Sequence, residues 1–385
     1  MMRFEFATAT RVVFGPGTLS EVAPVAAELG QRAMVVIGRT MERARPLVQS
    51  LAAQGVATTL FSVDGEPSVD VACQGSELAL AEKCDVIIGF GGGSVLDSAK
   101  AIAALATNGC DPYRFLEVIG AGQPLLVAPL PCIAAPTTAG TGAEVTRNAV
   151  LFAPEHRVKV SLRSPMMLPR LAVIDPTLTH DLPPSITAST GLDALTQVLE
   201  PFVSVAANPM TDAFCREGLK RAARSLRRAC QNGHDALARE DMAMASLMGG
   251  LALANARLGA VHGFAAPIGG MFPAPHGAVC ARLLPFVMRA NIRALRARQP
   301  DSEALRRYHE VAQLLTCAES ATAEDGADWV LKLLDDLGIP PLSTYGLKLE
   351  DFPLLVEKAA KASSMKGNPV LLTPQELHEI LAQAL

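Results

Sequence analysis

Two groups of residues in this chain have types and spacings that could do chemistry. The first is a stretch of backbone. Cys84-Asp85-Val86-Ile87-Ile88-Gly89-Phe90 runs into Gly91-Gly92-Gly93-Ser94, then into Val95-Leu96-Asp97-Ser98-Ala99-Lys100. That is an apolar strand, a glycine nest and a helix start. Adjacent glycines let backbone N–H groups converge on a phosphate, and a helix N-terminus favours negative charge. Ser94 could cap the helix or turn its hydroxyl to a phosphate oxygen. The spacing is neither G-x-G-x-x-G nor a Walker A loop. Three glycines in a row exceed what a tight strand-to-helix turn needs, so the loop reads as a phosphate cradle. A second polar turn, Pro136-Thr137-Thr138-Ala139-Gly140-Thr141-Gly142-Ala143-Glu144, follows the strand pattern 133–135. Alone it reads equally well as an ordinary loop. On the same sheet as the first, it would share the carboxyl edge along which open α/β sheets bind ligands.

The second group is made of side chains. Asp193 and Gln197 are four apart, so on a helix they project from one face. Downstream stand Val261-His262-Gly263 and Pro275-His276-Gly277, each beside a helix-breaking residue (Pro267, Gly269 and Gly270 for one, Pro275 for the other), which places the two histidines at neighbouring helix termini. One carboxylate, one amide and two imidazoles suit Fe²⁺ or Zn²⁺. From spacing alone the same residues also read as core histidines and a surface Asp–Gln pair.

The elements that must position these groups fall into two halves. Residues 1–180 alternate apolar strand runs (33–38, 58–63, 85–90, 133–136, 159–162, 171–175) with helical stretches at 43–54, 69–82 and 95–106. This is the mark of βαβ units and a mostly parallel sheet covered by helices on both faces. From residue 181 to 385 the strand signals fade, and Ala, Leu, Arg and Met recur at helical spacing over 193–202, 209–229, 236–256, 285–296, 302–316 and 324–337. The expected fold class is therefore an α/β domain, 1–180, joined to an all-α domain, 181–385.

Composition removes other classes of function. A net charge of −4 with 4% aromatics excludes a basic or base-stacking nucleic-acid surface. Mean hydropathy is +0.27, yet no apolar run approaches the ~18 residues of a spanning helix, so no membrane partner is expected. Eight scattered cysteines without a C-x-x-C pair, and an N-terminus without an apolar signal core, lead us to expect a cytoplasmic protein.

Taken together, Gly91-Gly92-Gly93-Ser94-x-x-Asp97-x-x-Lys100, Thr137-Thr138-Ala139-Gly140-Thr141-Gly142, Gly191-x-Asp193-Ala194-Leu195, Val261-His262 and Pro275-His276-Gly277 resemble the iron-containing (group III) alcohol dehydrogenases, of dehydroquinate synthase-like fold. The likeness runs from about Phe4 to Leu385. It implies an N-terminal nucleotide-binding domain, a C-terminal metal-binding domain, and NAD or NADP in the cleft between them. By that resemblance Gly91, Gly92, Gly93 and Ser94 hold the pyrophosphate, with Asp97 part of the same motif. Thr137, Thr138 and Thr141 line the cofactor cleft. Lys159 matches a lysine near the nicotinamide ribose, its other reading being a strand surface charge. Asp193, Gln197, His262 and His276 match the metal-ligand positions, with Fe²⁺ foremost and Zn²⁺ the alternative. The implied reaction is metal-assisted hydride transfer between NAD(P) and a small alcohol, aldehyde or ketone, with Asp193, His262 and His276 as its catalytic residues. The implied assembly is a homodimer or larger.

Three positions depart from the family pattern. Gln197 stands where a histidine is usual, as a weaker oxygen ligand or a mere hydrogen-bonder. Ala266 replaces a further histidine that could relay protons. Gly38, before Arg39, replaces an Asp that binds the ribose 2′-OH in NAD-dependent relatives, which opens the site to NADPH. Gln197 also keeps alive a metal-independent alternative resembling the maleylacetate reductases. Leu151, Phe152, Phe264 and Met271 suggest an apolar substrate lining.

Overall fold

The computed structural model describes residues 3–385. It comprises two compact units. The first holds Ala7–Thr138 and Gly142–Thr179; the second holds His180–Leu385, with Ala139–Thr141 and the described residues before Ala7.

The first unit is built on a six-stranded, wholly parallel sheet of order β1-β8-β5-β4-β2-β3. Its strands are β1 (Val12–Phe14), β2 (Arg32–Ile37), β3 (Ala57–Ser62), β4 (Val86–Gly91), β5 (Cys132–Pro136) and β8 (Leu171–Ile174). Helices α1 (Val22–Leu29), α2 (Arg45–Ala53), α3 (Val69–Ala81) and α4 (Gly93–Asn108) connect and cover them. β2 shows why the central strands read as continuous apolar runs. Ala33, Val35 and Ile37 pack on α1 and α2, while Met34 and Val36 pack on α3 and α4, so both faces are buried. The order reverses between β2 and β4: from β2 the chain moves outward to β3, then returns to the other side. In open α/β sheets the crevice at such a reversal is where ligands bind.

β1 and β6 (Asn148–Ala153) stand outside the strand runs expected from the sequence, and β7 (Val158–Arg163) lies outside the main sheet. β1 has only three residues, too few for a periodic signal. Residues 159–162, expected in the main sheet, instead belong to β7, which pairs antiparallel with β6 in a separate hairpin. Along β6 every second residue is buried, against α3 and α4, which is hairpin rather than parallel-sheet alternation.

The second unit is helical: α5 (Pro184–Val203), α6 (Pro209–Gln231), α7 (Ala236–Ala256), α8 (Ala260–Met271), α9 (His276–Arg298), α10 (Glu303–Thr316), α11 (Ala323–Asp336), α12 (Phe352–Lys361) and α13 (Pro374–Ala384). Side-chain caps start several of them: Asn208 for α6, Asp235 for α7, Ser302 for α10 and Thr322 for α11. α5 lies at the centre, buried from Gly191 to Val203 and packed on α6, α7 and α9. The expected break at Pro267 does not occur, because α8 runs through it to Met271. The helix expected from Pro285 begins nine residues earlier, at His276, with Pro285 in its interior. No single helix among the described residues is long and apolar enough to cross a membrane, although α7 and α8, bent by 99°, pass as a pair by length and composition.

Candidate functional site

In the helical unit, three helices bring four ligand-type side chains together. Asp193 lies mid-way along α5, His262 in the first turn of α8, His276 at the start of α9 and Cys280 one turn further on. The chain before α8 makes this placement possible. Arg257 adopts φ 60° and turns the chain off the end of α7, and Gly259 passes so close to α5 that a Cβ there would sit 2.8 Å from Glu200 Oε1. α9 meets α5 as tightly: a Cβ on Gly277 would lie 2.4 Å from the Ser189 carbonyl oxygen.

Asp193, His262 and Cys280 are almost wholly buried, whereas a third of the His276 side chain is exposed and forms the open side of the cluster. Asp193 Oδ1 is sealed from solvent and makes no hydrogen bond. It faces His262 Nε2 at 3.4 Å and His276 Nε2 at 3.9 Å. Cys280 Sγ is 3.7 Å from His262 Nε2 and 3.6 Å from His276 Nε2. All four candidate ligand atoms lie within 4.8 Å of one another. A buried carboxylate oxygen without a donor costs on the order of 1–3 kcal/mol, and two imidazole nitrogens and a sulfur turned toward the same point are the surroundings of a cation. The donor set fits a divalent metal.

The electrostatics agree. Burial presses both imidazoles toward neutrality, yet Cys280 and Asp193, with Glu200 beside His262, outweigh it and raise both histidine pKa values. Burial likewise opposes ionisation of Asp193 and Cys280, but the facing imidazoles hold both pKa values below their usual positions.

Glu200 went unnoticed in the sequence, although it stands seven residues after Asp193 on the same face of α5. Its Oε2 is 2.7 Å from His262 Nδ1 and its Oε1 accepts from the Val261 N–H at 2.7 Å. The carboxylate thus satisfies a first-turn amide of α8 and fixes the tautomer that presents Nε2 to the cluster. Cys280 was missed for a similar reason: as the fourth residue after His276 it repeats the Asp193–Gln197 spacing. Gln197 is held differently. Its Nε2 donates to the Gly140 carbonyl at 2.8 Å, which ties the amide nitrogen to the backbone of the threonine turn.

In the sheet unit, the nucleotide candidates gather at the strand reversal. Phe90 and Ile37 are register partners, so Gly38 and Gly91 are neighbours at the carboxyl ends of β4 and β2. Gly91 pairs with Pro136, the Thr137 N–H donates to the Gly91 carbonyl at 2.9 Å, and a Cβ on Gly92 would come within 3.4 Å of Thr138. Gly93 and Ser94 open α4, so its first amides point out of this edge. Thr141 belongs to the helical unit. Asp97 and Lys159 are already engaged. Asp97 Oδ2 accepts from the Val150 N–H at 3.1 Å, and Asp97 Oδ1 pairs with Lys100 at 2.9 Å, fastening β6 to α4. Lys159, almost fully buried, pairs with Glu66 at 2.9 Å. Arg39, at the end of β2, pairs with Asp64. Leu151 and Phe264 lie wholly inside hydrophobic cores and so do not line an open pocket; Phe152 and Met271 keep partial exposure. Ala266 places no titratable group on α8.

Comparison with known proteins covers both units. A family model described as iron-containing alcohol dehydrogenase matches residues 9–176, and one for the C-terminal part of the Fe-containing alcohol dehydrogenase family matches 187–385. Alcohol dehydrogenase 4 of Schizosaccharomyces pombe is 36% identical, over 97% of this chain and 87% of its own. The crystal structure of a 1,3-propanediol oxidoreductase, 34% identical, superposes over all of both chains with a TM-score of 0.92. That of the sulfoacetaldehyde reductase from Bifidobacterium kashiwanohense in complex with NAD+, 27% identical, covers 100% of this chain and 99% of its own at 0.86.

Proposed function

The chain belongs to the iron-containing alcohol dehydrogenase family, and from that premise we propose which of its residues carry an NAD(P)-dependent interconversion of an alcohol with its aldehyde or ketone. The observation that carries the reading is the buried Asp193 Oδ1, without a hydrogen bond and faced by two imidazole nitrogens.

Asp193, His262 and His276 would hold a divalent metal. Such an ion would supply a Lewis acid for the substrate oxygen. The chain does the rest. Glu200 holds His262 in the ligating tautomer, and burial of three of the four side chains keeps water from the reacting oxygen. The exposed edge of His276 marks the side from which substrate enters. Gly91, Gly92, Gly93 and Ser94 offer the amides of a glycine nest and of the α4 N-terminus to the cofactor pyrophosphate, with Thr137 and Thr138 beside them. Gly38 leaves room at the adenosine ribose, and Arg39 is the cation near a 2′-phosphate. Gln197 fixes the turn at Gly140, next to Thr141. Substrates are small alcohols and aldehydes, the class that the relatives' names share. We also infer a cytoplasmic enzyme that works as a homodimer or larger assembly, which light scattering would read.

The test is NAD(P)H consumption with a short-chain aldehyde, before and after chelation under argon. Loss of turnover on chelation and its return with stoichiometric divalent metal support the assignment. Full turnover by metal-free protein would overturn it in favour of a metal-independent reductase.

A further inference from the structure

We propose that Cys280 is the fourth protein ligand of the metal centre, in place of Gln197, and that the resulting Asp–His–His–Cys set makes zinc rather than iron its resident ion. This rests on the metal-centre reading above and deepens it.

Geometry carries the argument. In a tetrahedral zinc site with Zn–N of roughly 2.0–2.1 Å, Zn–O of about 2.0–2.2 Å and Zn–S of about 2.3 Å, N···S edges are about 3.6 Å and N···O edges about 3.3 Å. The structure has N···S separations of 3.6 and 3.7 Å, and N···O separations of 3.4 and 3.9 Å. Both nitrogen edges of the sulfur thus match a corner of such a polyhedron. Only Cys280, among eight free cysteines, is in the cluster. Its register on α9 is set by His276, because residues four apart share a helix face, and α9 is held against α5 at Gly277. Gln197, by contrast, has its amide fixed on Gly140, and a neutral carboxamide oxygen is a weak donor beside a thiolate.

The metal preference follows from the donors. Soft thiolate with imidazole in a tetrahedral arrangement favours zinc, whereas an all-oxygen-and-nitrogen set gives iron a better hearing. The partly exposed His276 side gives the substrate oxygen its approach.

The experiment uses the full-length wild-type protein, stripped and reloaded with cobalt(II) or zinc under argon. Bound cobalt should show a thiolate-to-metal charge-transfer band in the near ultraviolet. X-ray absorption of the zinc form should find one sulfur at about 2.3 Å, a readout that needs no variant. Cys280→Ser should bind cobalt without the band, and its zinc affinity should fall at least tenfold, since even removing a group that merely orients a ligand costs about ten- to hundredfold in affinity. Gln197→Ala should keep the band. Stoichiometric cobalt without a thiolate band, or zinc without a sulfur neighbour, would overturn the Cys280 assignment and leave the metal-assisted function standing. Failure to bind either ion would overturn both.

Discussion

Replacing Glu200 by Gln would test whether a carboxylate behind His262 sets the competence of the metal centre. Glu200 is buried and engages two donors, His262 Nδ1 and the Val261 N–H, each at 2.7 Å. A carboxylate accepts both bonds; a carboxamide has one acceptor. If the Gln oxygen takes the Val261 amide, its NH₂ faces Nδ1 and drives the proton to Nε2, where the ligand lone pair must be. If it turns round, two N–H groups oppose each other at the α8 terminus, a mismatch of about 1–3 kcal/mol. Loss of such an orienting partner lowers metal affinity about 10- to 100-fold, or about 1.4–2.8 kcal/mol. The assay is competition with a chromophoric chelator at fixed pH, on wild type, Glu200→Gln and Glu200→Asp, with melting of the metal-free proteins alongside. A structural role alone would lower the melting temperature and leave the affinity of the folded fraction unchanged. Glu200→Asp, which keeps the double acceptor, should recover part of the affinity. A Glu200→Gln protein that binds metal within about threefold of wild type would refute the tautomer argument.

Three further expectations concern the sheet unit. Gly92 has φ −75° and ψ −175°, which alanine adopts freely, and its Cβ would reach only ordinary contact with Thr138; Gly92→Ala should cost about 1 kcal/mol of stability at most yet raise the KM for NAD(P)H about tenfold or more if the amides there cradle pyrophosphate. Asp64→Asn frees Arg39 from its exposed ion pair, so NADPH efficiency relative to NADH should rise by up to about fivefold, the scale of a surface pair; an unchanged ratio would place the 2′-phosphate elsewhere. Burial pushes the Glu144 carboxyl from 4.5 up to about 7, so between those values the folded chain keeps a proton that the unfolded chain has lost. Stability should therefore fall by about 3 kcal/mol as pH rises through that window, and Glu144→Gln should lose that part of the pH dependence.

What could be seen from the sequence depended on how local its signal was. β2, β4 and β5 are buried on both faces, so their apolar runs stand out in a one-dimensional pattern. β1 has three residues at a sheet edge and carries no period of its own; only its partner β8 defines it. The start of α9 was masked because Pro285 reads as a beginning when it is an interior residue. The histidines were legible by type. Cys280 and Glu200 were not, because a buried cysteine and a glutamate within an Ala- and Leu-rich helix are common, and only the crossing of α5, α8 and α9 gives them a shared point.

That crossing has a consequence for how the site tolerates change. Asp193, Gln197 and Glu200 lie on one face of α5 at spacings of four and three, while His276 and Cys280 lie on one face of α9 at a spacing of four. Each helix thus presents more than one position within reach of the cluster, and α5 is fixed by burial along thirteen residues, Gly191–Val203. A ligand lost from the α5 face can therefore be supplied from the α9 face without moving either helix, because the metal needs donors at the right separations and is indifferent to which helix brings them. Glu200 does not have that latitude. It must meet both the Val261 amide at the end of α8 and the ring of His262 one residue later, and only a carboxylate at that one position on α5 serves both. The orienting carboxylate should be harder to replace than one of the ligands it helps to place.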